Sequence, residues 1–293
     1  MNITIQTSQL TVVISTLGAE LQSVKTAAGQ ELLWQADKTI WGRHAPLLFP
    51  IIGRLKDQQY TINGQVYHIP QHGFARDSVF ALVAQTAQSA TFRLQDSPET
   101  RAVYPFAFTL DITYTLEGNR LTKSHTVTNR SAAPMPYEIG GHDAYRTTLM
   151  AGETMADYYI EFPGQEAIYP FQMDEHCFLT EEKRPYPLKE GRFPLPMDVF
   201  GLDTVVLEGL PVNRVTLANR RNPVRLTVAF EDFPYLGIWT KAMPYDTNYI
   251  CIEPWTTLPE CTFVGSELGD KAGIRILQSG ETETLSYTLT VED

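Results

Sequence analysis

Phe106-Ala-Phe-Thr-Leu-Asp-Ile-Thr-Tyr-Thr-Leu116 alternates large apolar residues with small or polar ones. A period of two marks a half-buried strand, whose side chains point in turn to core and solvent. Glu117-Gly-Asn119 reads as a turn, and Arg120-Leu-Thr-Lys-Ser-His-Thr-Val-Thr-Asn129 as the returning strand. Tyr60-Thr-Ile-Asn-Gly-Gln-Val-Tyr67 is a smaller hairpin, because Asn63-Gly64 tolerates the positive φ of a two-residue type I′ turn. Similar short runs recur at 3–6, 10–15, 80–85, 89–94, 157–162, 205–207, 215–217, 224–230, 236–240, 249–253 and 284–291.

No stretch has the pattern of an amphipathic helix of normal length, and no fixed repeat is visible. Glycine and proline number 19 each and are scattered between the runs, so no linker divides the chain. Many strands without helices imply an all-β fold of stacked antiparallel sheets. The 293 residues are expected to form a single domain over 1–293. Residues 165–200, dense in proline and charge, read as a long surface excursion.

Hydrophobic residues make up 43%, enough for a full core, and charged residues only 19%, too few for a disordered polyelectrolyte. The formal charge of −11 argues against nucleic acid or an anionic membrane as partner. MNITIQTSQL lacks a basic start and an apolar core, so no signal peptide is expected, and no run approaches a membrane span. The three cysteines, Cys177, Cys251 and Cys261, are odd in number without CxxC spacing, which fits reduced thiols in the cytoplasm. Oligomeric state leaves no trace in the sequence.

Five segments put polar groups at strand ends or on one strand face: Gly53-Arg54, His72-Gly-Phe-Ala-Arg76, Gly140-Gly-His142, Trp239-Thr-Lys241 and Cys251-Ile-Glu-Pro-Trp255. In this order they resemble the LacX-type branch of the aldose 1-epimerase (galactose mutarotase) family, and the resemblance runs through the closing GIRIL…GET…SYTLTV segments. It implies a β-supersandwich, a metal-free and cofactor-free site on a concave sheet face, and a small-molecule sugar substrate. Residue by residue, His72 and His142 match the family's two histidines and Glu253 its glutamate base. Arg54 matches a hydroxyl ligand, and Asp203 in Gly201-Leu-Asp-Thr204 matches a substrate-binding aspartate. The branch usually continues Gly-Gly-His with Pro-Ala-Phe; here Asp143-Ala-Tyr145 follows, which leaves the charge around His142 open. His44, His68, His125 and His176 match no family position and read as structural.

Mutarotation suits these residue types. A base takes the proton of the anomeric hydroxyl, an acid protonates the ring oxygen, and the C1–C2 bond rotates before the ring recloses. Glu253 beside Cys251, Ile252 and Trp255 is partly desolvated, which raises its basicity. His142 is the candidate acid, with His72 holding the ring oxygen from the other side. Trp239 offers an apolar face to the sugar's C–H groups, and Arg54 donates to its hydroxyls. Arg76 and Lys241 complete the candidate set; converging with Arg54 they would suit a hexose 6-phosphate, whereas Arg76 paired with Asp77 or Asp57 would suit a neutral sugar. Taken singly, each residue has a plainer reading as a turn, core or surface group; their co-occurrence carries the assignment. Two other functions remain: a non-catalytic carbohydrate-binding protein, and an iron site built from two histidines and a glutamate. The sequence disfavours the second, having no His-x-His or His-x-Asp pair on one strand.

Overall fold

The Phe108–Glu117 and Arg120–Asn129 strands pair antiparallel over their full length, from Phe108 opposite Asn129 to Glu117 opposite Arg120. They lie within a nine-stranded sheet in a computed structural model that describes residues 1–195, 203–241 and 247–292. Across this sheet the order is Arg192–Pro194, Tyr158–Glu161, Arg214–Asn219, Arg225–Ala229, Thr282–Glu292, Arg120–Asn129, Phe108–Glu117, Ser89–Gln95 and Ala81–Gln85. Every described neighbour pair in it is antiparallel. Strict alternation buries Leu110, Ile112, Tyr114 and Leu116 on one face and leaves threonines on the other.

A second sheet, of four antiparallel strands, runs Asp143–Arg146, Tyr249–Trp255, Tyr235–Trp239, Val205–Glu208. Its Tyr249–Trp255 strand is buried at every residue, because both faces are covered. Ile250 and Ile252 join the main core, whose apolar side chains run from Ile3 to Val291. Tyr249 and Cys251 face the other way, into a small cluster with Trp34 and Ala144, and Trp255 joins another with Leu48 and Ile52. Glu253 shares that second face by the two-residue period of a strand.

The small hairpin forms as expected: Gln59–Ile62 pairs with Gln65–His68, and Asn63 and Gly64 take φ of 50° and 77°. Among the described residues the α-helix is one short piece, Pro98–Val103, started by a Ser97 capping box. No described helix is long and apolar enough to cross a membrane. Residues 165–200 are more than a surface excursion. Ala167–Ile168 pairs with Tyr186–Pro187, Phe171–Met173 with Leu179–Lys183, and Arg192–Pro194 edges the large sheet. Ile168, Phe171, Leu179 and Phe193 are buried, so apolar residues spaced between the prolines anchor the segment; residues 196–200 lie outside the described range.

The Arg120–Asn129 strand turns Lys123 and His125 inward with its apolar residues. An unpaired buried ammonium would be costly. Lys123 Nζ meets Asp143 Oδ1 at 3.3 Å and lies over the rings of Tyr114 and Tyr287, while the Tyr287 hydroxyl donates to Asp143 Oδ2 at 2.8 Å. Asp143 is therefore committed to a buried ion pair behind the site. His125 is fully buried and structural, its basicity suppressed to about 3 by burial.

Gly73 shows what the backbone demands near the site. Its φ is +71°, and a Cβ there would lie 2.2 Å from the Phe49 carbonyl oxygen. Gly73→Ala is expected to destabilise the fold by about 1–3 kcal/mol from overpacking alone, read as a lowered denaturation midpoint. An unchanged midpoint would show that the His72–Gly73 turn is not held as described.

Candidate active site

Segments from distant parts of the chain meet at one cavity of about 300 Å3. The Tyr249–Trp255 strand supplies Glu253 to it, and the neighbouring Tyr235–Trp239 strand supplies Trp239. Opposite Glu253 in the register is Gly237, where a Cβ would lie 2.5 Å from the Trp255 ring. The missing side chain is what lets that indole lie across the strand.

His142 reaches the cavity through two glycines pressed against their neighbours. A Cβ on Gly140 would lie 2.8 Å from the Pro254 carbonyl oxygen, and one on Gly141 would lie 2.1 Å from the Tyr287 hydroxyl. Gly140 exchanges backbone hydrogen bonds with Leu48, and the Gly141 N–H donates to the Pro254 carbonyl at 3.1 Å. His142 Nε2 ends 3.4 Å from Glu253 Oε2. That is close, yet longer than a good N–H···O bond of about 2.9 Å. Trp41 stacks on the His142 ring at 5.2 Å, and Trp239 and His72 meet it edge-on at 5.5 and 5.6 Å.

His72 sits in the left-handed region, at φ 65°. Such strain persists only where the surroundings fix it, and here the His72 N–H donates to the Gly53 carbonyl at 2.8 Å. The Gly53 N–H in turn donates to His72 Nδ1 at 3.1 Å, so the ring proton of neutral His72 belongs on Nε2. The terminal amide of Gln71 lies 3.2 Å from that nitrogen and can accept through its oxygen.

Burial decides the electrostatics. Glu253 is 1% exposed, and desolvation lifts its carboxyl well above the ordinary range. Asp203 and Asp143 push the same way. The Trp255 indole favours the charged form, although its N–H does not point along a hydrogen bond. Burial also drives His142 down to about 3, with Arg76, Arg43 and Lys123 adding repulsion. His72 is lowered first by burial and then by His142, Arg76 and Arg43. Both imidazoles are therefore neutral at neutral pH. Asp203 is open to solvent at the cavity, yet crowding still desolvates and raises its carboxyl, against the Trp239 indole and Arg54.

The remaining candidates also line this cavity, each already in contact with protein. Arg54 donates to the His176 carbonyl at 2.6 Å. Arg76 donates to the Gln71 carbonyl at 2.7 Å and lies 3.7 Å from Asp77, which also binds Arg43. Lys241 Nζ donates to the Ile40 carbonyl at 2.9 Å, tying down the loop that carries Trp41. Asp203 and Lys241 border segments outside the described residues.

The whole chain can now be set beside known proteins. A family model described as aldose 1-epimerase matches residues 1–290. The chain belongs to the aldose 1-epimerase family. It is 33% identical over 299 residues to the chromosomal LacX protein of Lactococcus lactis subsp. lactis, covering 99% of each. A galactose mutarotase related enzyme from Lactobacillus acidophilus superposes with a TM-score of 0.94 at 36% identity, over 100% of this chain and 98% of that one. A galactose mutarotase-like protein from Lactobacillus casei ATCC 334 gives 0.93 at 31%, over the full length of both. The large antiparallel sheets are thus the galactose mutarotase-like β-supersandwich.

Around this cavity the sequence motifs had not pointed to Trp41, Gln71, Pro259 or Glu260, nor to Met173 and Cys177 from the 165–200 segment. Trp41 had a signal: an indole in the polar loop Asp37-Lys-Thr-Ile-Trp-Gly-Arg43 has no strand face to fill. The others are set by long-range packing alone.

Glu253 gives a direct test of the burial argument. A carboxyl whose folded pKa is raised contributes stability that is present below its unfolded value, about 4.3, and lost as pH rises through the folded value. Glu253→Gln removes the buried charge. The variant is expected to melt above the wild type at pH 8, with the gap closing near pH 4. A variant that melts lower at pH 8 would contradict the desolvated carboxyl.

Proposed function

We propose that this chain is a sugar mutarotase, interconverting the α and β anomers of an aldohexose or a related sugar by general acid–base ring opening. The observation that carries the reading is the buried Glu253–His142 pair, 3.4 Å apart in a cavity walled by indoles. A carbohydrate-binding module needs aromatic and hydroxyl-binding groups but no desolvated acid–base pair.

Ring opening needs Glu253 without its proton and His142 with one. The burial shifts favour the opposite placement in the empty site. The two arrangements hold the same number of protons, so they are tautomers of one pair, and the pair titrates as a unit. The protonated carboxyl with neutral imidazole is also the form left after ring opening. From it, Glu253 returns its proton to the aldehyde oxygen while His142 removes one from the ring hydroxyl, closing the ring on either face. Substrate hydroxyls replacing water need only move one proton across a short contact to start the forward step. His72, donating from Nε2, steadies the ring oxygen. Trp239 covers the C–H face, and Asp203 and Arg54 bind hydroxyls at the mouth.

Substrate charge follows from the cations. Arg54, Arg76 and Lys241 each already donate to a backbone carbonyl, and Arg76 also lies beside Asp77. That arrangement favours a neutral sugar over a hexose 6-phosphate. The name of the L. acidophilus relative makes galactose the first sugar to test. A cytoplasmic site of action suits three cysteines that form no disulfide.

Polarimetry on fresh α-galactose and α-glucose tests the reading. Glu253→Gln is expected to lower kcat by about 10²–10⁴-fold while the protein stays folded, and His142→Asn to cost more than His72→Asn. Near wild-type turnover in a folded Glu253→Gln would remove Glu253 as the base. The reverse histidine ranking with KM unchanged would exchange their roles.

A further inference from the structure

One buried side chain beside the working pair has no part in this chemistry. Cys251 lies two residues before Glu253 on the same strand face and is fully buried. One donor atom from each of His142, Cys251 and Glu253 falls within 4.8 Å of the other two. We propose that these three side chains form an inhibitory site for a thiophilic divalent cation of the zinc class. The inference rests on the mutarotase reading for its inhibitory consequence, but not for the binding itself.

Ligand type comes first. Nitrogen, sulfur and carboxylate oxygen together suit zinc, whereas magnesium and calcium want oxygen alone. Spacing comes second. Zinc bonds of about 2.0–2.3 Å at tetrahedral angles place ligand atoms about 3.3–3.6 Å apart. The His142 Nε2 to Glu253 Oε2 separation of 3.4 Å, long for a hydrogen bond, already falls in that window. Bringing the sulfur in from as far as 4.8 Å needs movement on the order of an ångström, within reach of side-chain rotation. The third point is an unmet polar demand. Glu253 Oε1 is buried without a hydrogen-bond partner.

Charge balances. With the thiol and the carboxyl giving up their protons to solvent, one divalent cation, one thiolate, one carboxylate and a neutral imidazole sum to zero. A neutral complex suits the low-dielectric floor better than separated charges do. His142 and Glu253 both line the cavity, so water or a sugar hydroxyl from it would complete the coordination. Occupancy ties up the Glu253 lone pair and the His142 nitrogen, leaving neither a base nor an acid. The lack of a partner on His142 Nδ1 argues against a resident metal, because histidine ligands of such sites are normally held from behind.

The closing experiment separates binding from catalysis. Co²⁺ is titrated into chelator-treated wild-type protein, followed by absorbance, and Zn²⁺ and Mg²⁺ into the polarimetric assay. One equivalent of Co²⁺ should give a thiolate-to-cobalt charge-transfer band whether or not the protein turns over sugar. Zn²⁺ should cut the rate at least tenfold with full recovery on chelation, and Mg²⁺ should do neither. Cys251→Ala, with the better-filling Cys251→Val as a second variant, should keep basal activity, lose the band and become about tenfold or more less sensitive to Zn²⁺. Absence of the band in wild type, or undiminished Zn²⁺ inhibition in a folded Cys251 variant, overturns the proposal. A wild type that shows the band but no mutarotation retains the metal site and counts against the proposed function instead.

Discussion

The carboxyl of Glu253 is taken out of water on a strand covered on both faces, and the rest of the site is arranged around that cost. The indole of Trp255 and the ring of His142 stand where solvent would otherwise enter. Asp143 and Asp203 add repulsion rather than relief. A carboxyl so placed binds its proton more tightly than an exposed one and is correspondingly the stronger base once that proton is removed. The stability lost by holding it there is regained in the core beneath, where Ile250 and Ile252 of the same strand pack.

Close backbone approach makes the burial possible. Gly140, Gly141 and Gly237 are each places where a Cβ would overlap an atom of Pro254, Trp255 or Tyr287. Their absence of side chains lets the His142 segment lie against the end of the Glu253 strand. Pro254 is tolerated between two partner strands because the ladder with Asp143–Arg146 ends at Ile252, so its missing N–H leaves no ladder bond unmade on that side. The Lys123–Asp143–Tyr287 network then pins the residue after His142 from the core side. Asp143 thus acts on Glu253 through its field and on His142 through the backbone.

The sheets were legible because period-two alternation is a local signal. It marked Phe106–Leu116, Arg120–Asn129 and the Asn63-Gly64 hairpin, and it failed in 165–200, where prolines interrupt the pattern and two- or three-residue strands are too short to show one. The convergence of His72, His142, Arg54, Asp203 and Glu253 was anticipated through family resemblance, not through spacing: these residues come from distant segments that only the fold joins. Glu260 and the Cys251 cluster stayed hidden for the same reason, whereas Trp41 left a local signal as an indole in a polar loop. The absence of a His-x-His pair said little about metal ligands, since Cys251 and Glu253 alternate on one strand and the imidazole arrives from another.

The central claim is that burial sets the protonation of the Glu253–His142 pair that turns over the sugar. The pH dependence of kcat/KM reports the free enzyme's groups and tests this most directly. The working pair holds one proton, so the account predicts a falling alkaline limb, where that proton is lost, centred clearly above about 4.3, the ordinary glutamate value, and moving lower in Asp143→Asn, where a repelling charge is gone. A limb at the ordinary carboxylate value, unmoved by that substitution, would contradict it.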